Sequence, residues 1–403
     1  DIVFRNNMES LNGFPLTKSE KEKLLSGLVN GCSTPVNGQR WLQGRQVTIT
    51  RDNPDDAAHF GKHVSLTVFF PTAVAGAPNV YQIARQPVFY KRSKLARNRR
   101  GDLVLLVNGL PLIHVELKNS GHSYSEAANQ LKRYASEGLF GGLFRSLQVF
   151  VAMTPDEMRY FANPGHPDNF KPEFYFSWRD RENKPVEHWK AVAAQFLSIP
   201  AAHELVANYM IADQGDQTLK VLRSYQIHAI RAILHRLSIA KDLPTEDWTR
   251  RTQLGGYIWH TTGSGKTMTS YKAAELIARD RLADKVVFVL DRIDLSNQSF
   301  DEYTAFLSDS LGIEQPRSAS QLLAKLRDKK GEPLVVTSLH KLEQFCSPDT
   351  KFSPAALHDL QYSRFVFVVD EAHRSTFGNM FANLKRRFPH SVVIGFTGTP
   401  IEE

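Results

Sequence analysis

From about residue 223 onward, five short apolar runs (257–260, 286–290, 334–337, 365–369 and 392–396) alternate with longer stretches of helical period. That rhythm predicts βαβ units and a parallel sheet covered by helices on both faces. The first half reads differently. Runs at 64–70, 80–83, 103–107, 112–117 and 147–152 are short, strand-like and bounded by turn residues, which predicts an α+β domain. Between the halves, residues 196–222 are helical in pattern and then polar, so the division expected is one domain over 1–195, a connector over 196–222 and a second domain over 223–403.

Composition adds little to the fold but narrows the class. With 403 residues the chain is long enough for at least two cores, and no apolar run approaches the roughly 18 residues of a membrane span. Membrane partners are therefore not expected. A formal net charge of +8 favours an anionic partner, nucleic acid among them. Cys32 and Cys346 are the only cysteines, which excludes a disulfide framework and a cysteine metal site and makes the cytoplasm the expected compartment. The chain starts on Asp1 rather than methionine and stops at Glu403, three residues after Pro400, so an N-terminal portion of a longer protein is expected.

Two stretches carry chemistry. In the second half, the run ending at His260 leads into Thr261-Thr262-Gly263-Ser264-Gly265-Lys266-Thr267 and then a helix start. A strand, a glycine-rich loop and a helix in that order bind polyphosphate with inward backbone N–H groups and the positive helix end. Lys266 would reach the β- and γ-phosphates of ATP, and the Thr267 hydroxyl would coordinate Mg²⁺. The run 365–369 ends in Asp370-Glu371-Ala372-His373, two acids at the carboxyl end of a buried strand. There Asp370 would hold Mg²⁺ and Glu371 would polarise the attacking water. The run 392–396 ends in Thr397-Gly398-Thr399-Pro400, whose hydroxyls suit γ-phosphate sensing.

In the first half, residues 102–118 read as a hairpin turning at Asn108-Gly109. With a loop of two to four residues, Asp102 falls opposite positions 115–117 and so beside Glu116, while Glu116 and Lys118 share a face. Two carboxylates and a lysine gathered in this way suit Mg²⁺ and phosphodiester hydrolysis, with Asp102 and Glu116 as metal ligands and Lys118 orienting water or neutralising charge. Lys91, Arg92, Lys94, Arg97, Arg99 and Arg100 precede Asp102 with no acid among them, a track for a phosphate backbone. Gln130 and Tyr134 stand one turn apart on a predicted helix.

The motifs GSGKT, DEAH and TGTP, in this order, resemble motifs I, II and III of superfamily 2 helicases and translocases. By the same resemblance Gln226 would read adenine, and Thr262, Gly263, Ser264, Gly265, His373, Thr397 and Thr399 join the nucleotide site. Asp291, Arg292, Asp294, Leu295 and Gln298, with Thr337, Ser338 and Lys341, resemble segments that contact the DNA backbone. His260 stands where the full P-loop pattern has glycine. The resemblance also implies a second motor lobe, so a fragment ending at Glu403 is expected to bind ATP but turn it over poorly. Asp102, Glu116, Lys118, Gln130 and Tyr134 resemble the PD-(D/E)xK nuclease pattern followed by a QxxxY helix. Gly101 replaces the proline of that pattern, and Glu9, Glu20 and Glu22 are open candidates for its upstream acid. Together the two halves resemble the restriction and motor subunit of type I restriction enzymes. The α/β fold expected is then an α+β PD-(D/E)xK domain followed by a RecA-like parallel-sheet P-loop domain. The partners implied are double-stranded DNA and the methyltransferase and specificity subunits. Another helicase-nuclease fusion, in repair or phage defence, and an ATP-switched DNA-binding scaffold with an inert nuclease stay open at this stage.

Overall fold

The computed structural model describes residues 2–90, 98–250, 254–261, 263–290, 313–314, 316–348, 352–372 and 377–398. These divide into two compact units, 1–225 and 226–403.

In the first unit, β1 (Gln46–Thr50) and β2 (His63–Thr67) form a separate antiparallel pair, as do β4 (Val88–Phe89) and β5 (Arg99–Arg100). The main sheet is built from β3 (Tyr81–Arg85), β6 (Leu103–Val107), β7 (Leu110–Leu117), β8 (Val149–Met153) and β9 (Met158–Ala162), in the order β3-β6-β7-β8-β9. β7 and β8 run parallel, and the other neighbours are antiparallel. The helix Tyr124–Ser136 makes the crossover between these parallel strands, as such a connection requires. It buries Ala127, Ala128 and Leu131 against Val104, Phe150, Ala152 and Phe161.

The expected hairpin is present. Asn108 and Gly109 have φ of 54° and 81°, the two left-handed residues that a tight two-residue turn demands. Asn108 is buried and serves the loop around it, donating to Val68 O and Asn79 Oδ1 and accepting from Val80 N. A bulge between Leu105 and Leu106 shifts the register by one, so that Leu103 pairs with Val115. One step further along, Asp102 lies opposite Glu116. Since side chains alternate faces along a strand, the bulge decides that the two acids share a face.

The stretch 196–222 corrects the expected connector. It holds the helix Ile199–Asn208 and an antiparallel hairpin of β10 (Met210–Asp213) and β11 (Thr218–Val221). All of it belongs to the first unit. Val206 O accepts from Gln39 Nε2 at 2.8 Å, and the His203 ring bridges the Tyr81 hydroxyl (2.9 Å) and Pro71 O (2.8 Å). Its polar residues 213–218 are the turn of the hairpin and the strand residue on either side of it, which is why they read as a linker.

In the second unit, β12 (Gly256–Trp259), β13 (Lys285–Leu290), β14 (Ile313–Glu314), β15 (Leu334–Ser338), β16 (Phe365–Val369) and β17 (Ser391–Thr397) form one sheet in the order β12-β17-β16-β13-β15-β14. Every pairing is parallel. All five expected apolar runs are strands here. Val287, Val289, Phe365 and Phe367 pack with Leu342 and Phe345 of the helix Leu339–Cys346 and with Phe388, just past the helix Phe377–Arg387, while Tyr271 of the helix Lys266–Arg279 meets Phe288 in an edge contact.

The Asn-Gly turn yields a stability test. A Cβ at Gly109 would lie 2.5 Å from the Phe4 backbone, whereas one at Gly121, also left-handed at φ +91°, would meet open space. Gly109→Ala should therefore cost on the order of 2–4 kcal/mol, and Gly121→Ala only about 1 kcal/mol. Urea denaturation of the two variants checks this, and equal losses would contradict the close packing at the turn.

Candidate functional sites

In the first unit, Glu116, Lys118, Gln130 and Tyr134 form one hydrogen-bonded cluster, and Asp102 is tied to the backbone beside it. The Asp102 carboxylate accepts the Leu117 N–H at 2.8 Å, which holds the end of the incoming strand against the end of β7. Glu116 is wholly buried. Its Oε1 accepts from Gln130 Nε2 and its Oε2 lies 3.1 Å from His114 Nε2. Gln130 Oε1 accepts from the Lys118 ammonium at 2.5 Å, and Gln130 Nε2 also contacts the Tyr134 hydroxyl at 2.5 Å, which donates to Arg100 O at 3.1 Å. Gln130 thus positions both the acid and the lysine.

Burial raises the Glu116 carboxyl above the usual carboxylate range, and the neighbouring Asp102 charge pushes the same way, against the pull of His114 and Lys118. The cost of ionising a buried carboxyl falls when a cation lies against it. The donor set fits Mg²⁺, a hard ion that takes a few carboxylate oxygens and keeps water in its remaining positions. Among the described residues there is no group of three or more His, Cys, Asp or Glu arranged around a metal position. The oxygens would come from Asp102 and Glu116.

The candidate upstream acids lead elsewhere. Glu9 accepts from Leu16 N and pairs with Lys21. Glu20, fully buried, closes the capping box of the helix Lys18–Gly31 and pairs with the buried Arg51 at 2.7 Å. Glu22 is exposed. Of the basic run, Lys91, Arg92, Lys94 and Arg97 lie outside the described residues. Arg99 is bound to the Glu137 carboxylate through two nitrogens, and Arg100 is exposed. Sequence reasoning passed over His114, whose place two residues before Glu116 on the same face of β7 was the available signal.

In the second unit, strand order makes the nucleotide site. β17 lies between β12 and β16, so the glycine-rich loop, the Asp370-Glu371 pair and Thr397 leave neighbouring strands at the same edge of the sheet. Gly263 and Gly265 adopt φ of 76° and 78°, the left-handed geometry that turns a loop around an anion. Gly265 caps the helix Lys266–Arg279. Thr267 Oγ1 donates to Asp370 Oδ2 at 3.2 Å, and the Lys266 ammonium is ion-paired with Glu371 Oε1. Gln226 is buried, and its amide nitrogen donates to Gly265 O and Thr269 Oγ1, both at 3.0 Å, bracing the loop from behind. His260, at the position without glycine, is buried, and burial with the nearby Lys266 charge lowers its pKa.

Ser264 donates to Thr261 O within the loop, and Thr397 is buried with its carbonyl accepting from His260 N at 2.9 Å. Ser338 caps the helix after β15, while Lys341 Nζ donates to Pro316 O at 3.1 Å and the Thr337 hydroxyl is buried. Thr262, Asp291, Arg292, Asp294, Leu295, Gln298, His373 and Thr399 lie outside the described residues.

A glycine-rich loop before a helix, facing an acid pair across a parallel sheet, defines an ATP-binding P-loop domain, here carried behind an α+β domain with a paired-acid hairpin. Known proteins agree. The model of the SWI2/SNF2 ATPase family matches residues 225–403, and that of the type I restriction enzyme R protein N terminus matches residues 4–169. The endonuclease subunit of the type I restriction enzyme SauCOLORF180P of Staphylococcus aureus is 31% identical over 399 residues, covering 99% of this chain and 39% of that protein. That of the type I restriction enzyme EcoprrI of Escherichia coli is 32% identical over 192 residues, covering 45% of this chain and 60% of its own length. A solved structure of a nuclease-deletion mutant of the type ISP restriction-modification enzyme LlaGI with a DNA substrate mimic aligns over 45% of this chain and 18% of its own, at 20% identity and a TM-score of 0.30. The chain belongs to the family of type I restriction enzyme endonuclease subunits. No helix among the described residues is long and apolar enough to cross a membrane.

The acid pair of the P-loop site gives a pH prediction. Burial first, and the Glu371 charge second, push the Asp370 carboxyl from 3.8 up to about 6. Between those values the native state keeps a proton that the unfolded chain has released. Stability therefore falls as pH rises through this window, by on the order of 2–3 kcal/mol in full. Asp370→Asn should melt at a higher temperature than the parent at pH 8 and lose that advantage near pH 4. Identical melting curves at pH 8 would contradict the penalty.

Proposed function

We propose that this chain is part of a subunit that uses ATP to translocate on DNA and cleaves unmodified double-stranded DNA with Mg²⁺, working with methyltransferase and specificity subunits in a type I restriction-modification complex in the cytoplasm. The observation that carries the nuclease half is the hydrogen-bond network joining Glu116, Lys118, Gln130 and Tyr134, with the Asp102 carboxylate held beside it by the Leu117 N–H. Family membership supports the rest, and since the chain spans 39% of the length of the Staphylococcus aureus relative, the whole protein's activity is argued from both.

At the nuclease site Asp102 and Glu116 would hold Mg²⁺, which when bound would polarise the phosphodiester and acidify water. Lys118, aimed by Gln130, neutralises charge as it develops on the phosphate. Tyr134 fixes Gln130 and, through Arg100 O, the strand that carries Asp102. At the P-loop, the backbone N–H groups around Gly263–Gly265 and the Lys266 ammonium bind the ATP phosphates. Thr267 and Asp370 would hold the Mg²⁺ that accompanies the nucleotide, and Glu371 accepts a proton from the attacking water. Gln226 ties the start of its helix to the loop, so contact with the base and the shape of the phosphate cradle are linked. Residues Thr262, His373, Thr397 and Thr399 complete this site in the proposal.

The full subunit, assembled with its partners on a plasmid bearing an unmethylated site, tests both halves. Asp102→Ala should reduce cleavage by about 10²–10³-fold while ATP hydrolysis continues. Lys266→Ala should abolish ATP hydrolysis and translocation, with the acid cluster intact. Cleavage by Asp102→Ala at the parent rate would remove the nuclease assignment, and translocation by Lys266→Ala would remove the motor.

A further inference from the structure

His114 is a buried polar side chain that neither proposed reaction uses. It has no solvent exposure, and Phe89, Tyr134, Phe140 and Phe150 surround its ring at centroid distances of 5.3 to 6.3 Å. Nε2 lies 3.1 Å from Glu116 Oε2, and Nδ1 is buried without a hydrogen-bond partner. Hydrogen-bond counting selects the tautomer. A proton on Nδ1 would leave a buried N–H unpaired, whereas the Nε2–H form donates to the carboxylate and leaves only an acceptor lone pair unused, the lesser cost. A leucine would fill the aromatic box with no unpaired atom, but it would offer Glu116 no donor.

The ring also touches the strand that bears the other acid. A Cβ at Gly101 would fall 2.9 Å from His114 Nε2 and 2.8 Å from Phe89 Cε2, closer than side chains pack, so a larger residue immediately before Asp102 would displace these rings. A proline at position 101 would press on both rings and would lose the Gly101 N–H bond to Pro87 O at 3.0 Å. The same imidazole edge abuts the backbone next to Asp102 and donates to Glu116.

We propose that His114 is a positioning residue for the nuclease site: its Nε2–H fixes the carboxylate plane of Glu116 and its edge sets the spacing of the Asp102 strand, so that the two acids are held ready for one divalent cation. This rests on the reading of Asp102 and Glu116 as cation ligands. A carboxylate oriented from behind binds a metal more tightly because less freedom is lost on binding, and removal of such a partner weakens affinity by about 10–100-fold.

Mn²⁺ binding to the full-length protein without nucleotide, followed by electron paramagnetic resonance, tests the proposal, with Asp102→Ala as the blank for the site. His114→Leu should weaken the site by about 10–100-fold, whereas His114→Gln, whose amide can reach the Nε2 position, should recover most of the affinity. His114→Met serves as a second apolar variant, and unchanged binding of a fluorescent ATP analogue in each confirms a folded P-loop domain. Parent-like Mn²⁺ affinity in either apolar variant overturns the proposal, as does a glutamine variant as weak as leucine, which would reduce His114 to packing. Equal Mn²⁺ binding by the parent and Asp102→Ala would remove the cation itself, and the positioning role with it.

Discussion

Both sites depend on holding two carboxylates side by side at strand ends, where burial and the neighbouring acid oppose the ionisation of Glu116 in one and Asp370 in the other. Glu116 beside Asp102 and Asp370 beside Glu371 share this arrangement, and each pair has a lysine close by. The compensation differs. In the P-loop domain Lys266 is ion-paired directly with Glu371, so the charge that will meet phosphate already neutralises the acids. In the hairpin domain Lys118 is hydrogen-bonded to Gln130 rather than to either acid, and Glu116 takes its hydrogen bonds from Gln130 and His114. Hydrogen bonds of this kind orient a carboxylate for a cation.

This difference follows from how each site is built. The P-loop site gathers groups from three neighbouring parallel strands, so sheet order alone brings them together, and the left-handed glycines shape the cradle between them. The hairpin site gathers groups from two antiparallel strands and one helix, where a shift of a single residue would turn Asp102 to the opposite face. The bulge at Leu105/Leu106, the Leu117 N–H bond to Asp102 and the imidazole of His114 each hold that register.

Local pattern determined a good deal. The five apolar runs of the second unit are strands because a strand buried on both faces must be apolar throughout, and the Asn-Gly turn forms because those two residues tolerate left-handed backbone. The motif residues Lys266, Thr267, Asp370 and Glu371, and likewise Asp102, Glu116, Lys118, Gln130 and Tyr134, could be picked out because each lies at a strand end or on a helix face that spacing reveals. What spacing could not reveal was contact between residues far apart in the chain. The segment 196–222 looked like a connector because its polar turn is local information, whereas its packing on Gln39 and Tyr81 is not. Glu20 was one of three acids the sequence left open, and its buried ion pair with the distant Arg51 appears only in the tertiary structure. His114 is of the same kind: its spacing from Glu116 was visible in the sequence, but its meaning lies in the orphaned nitrogen, the aromatic box and the pressure on Gly101, which exist only once helix, hairpin and loop have closed around one ring.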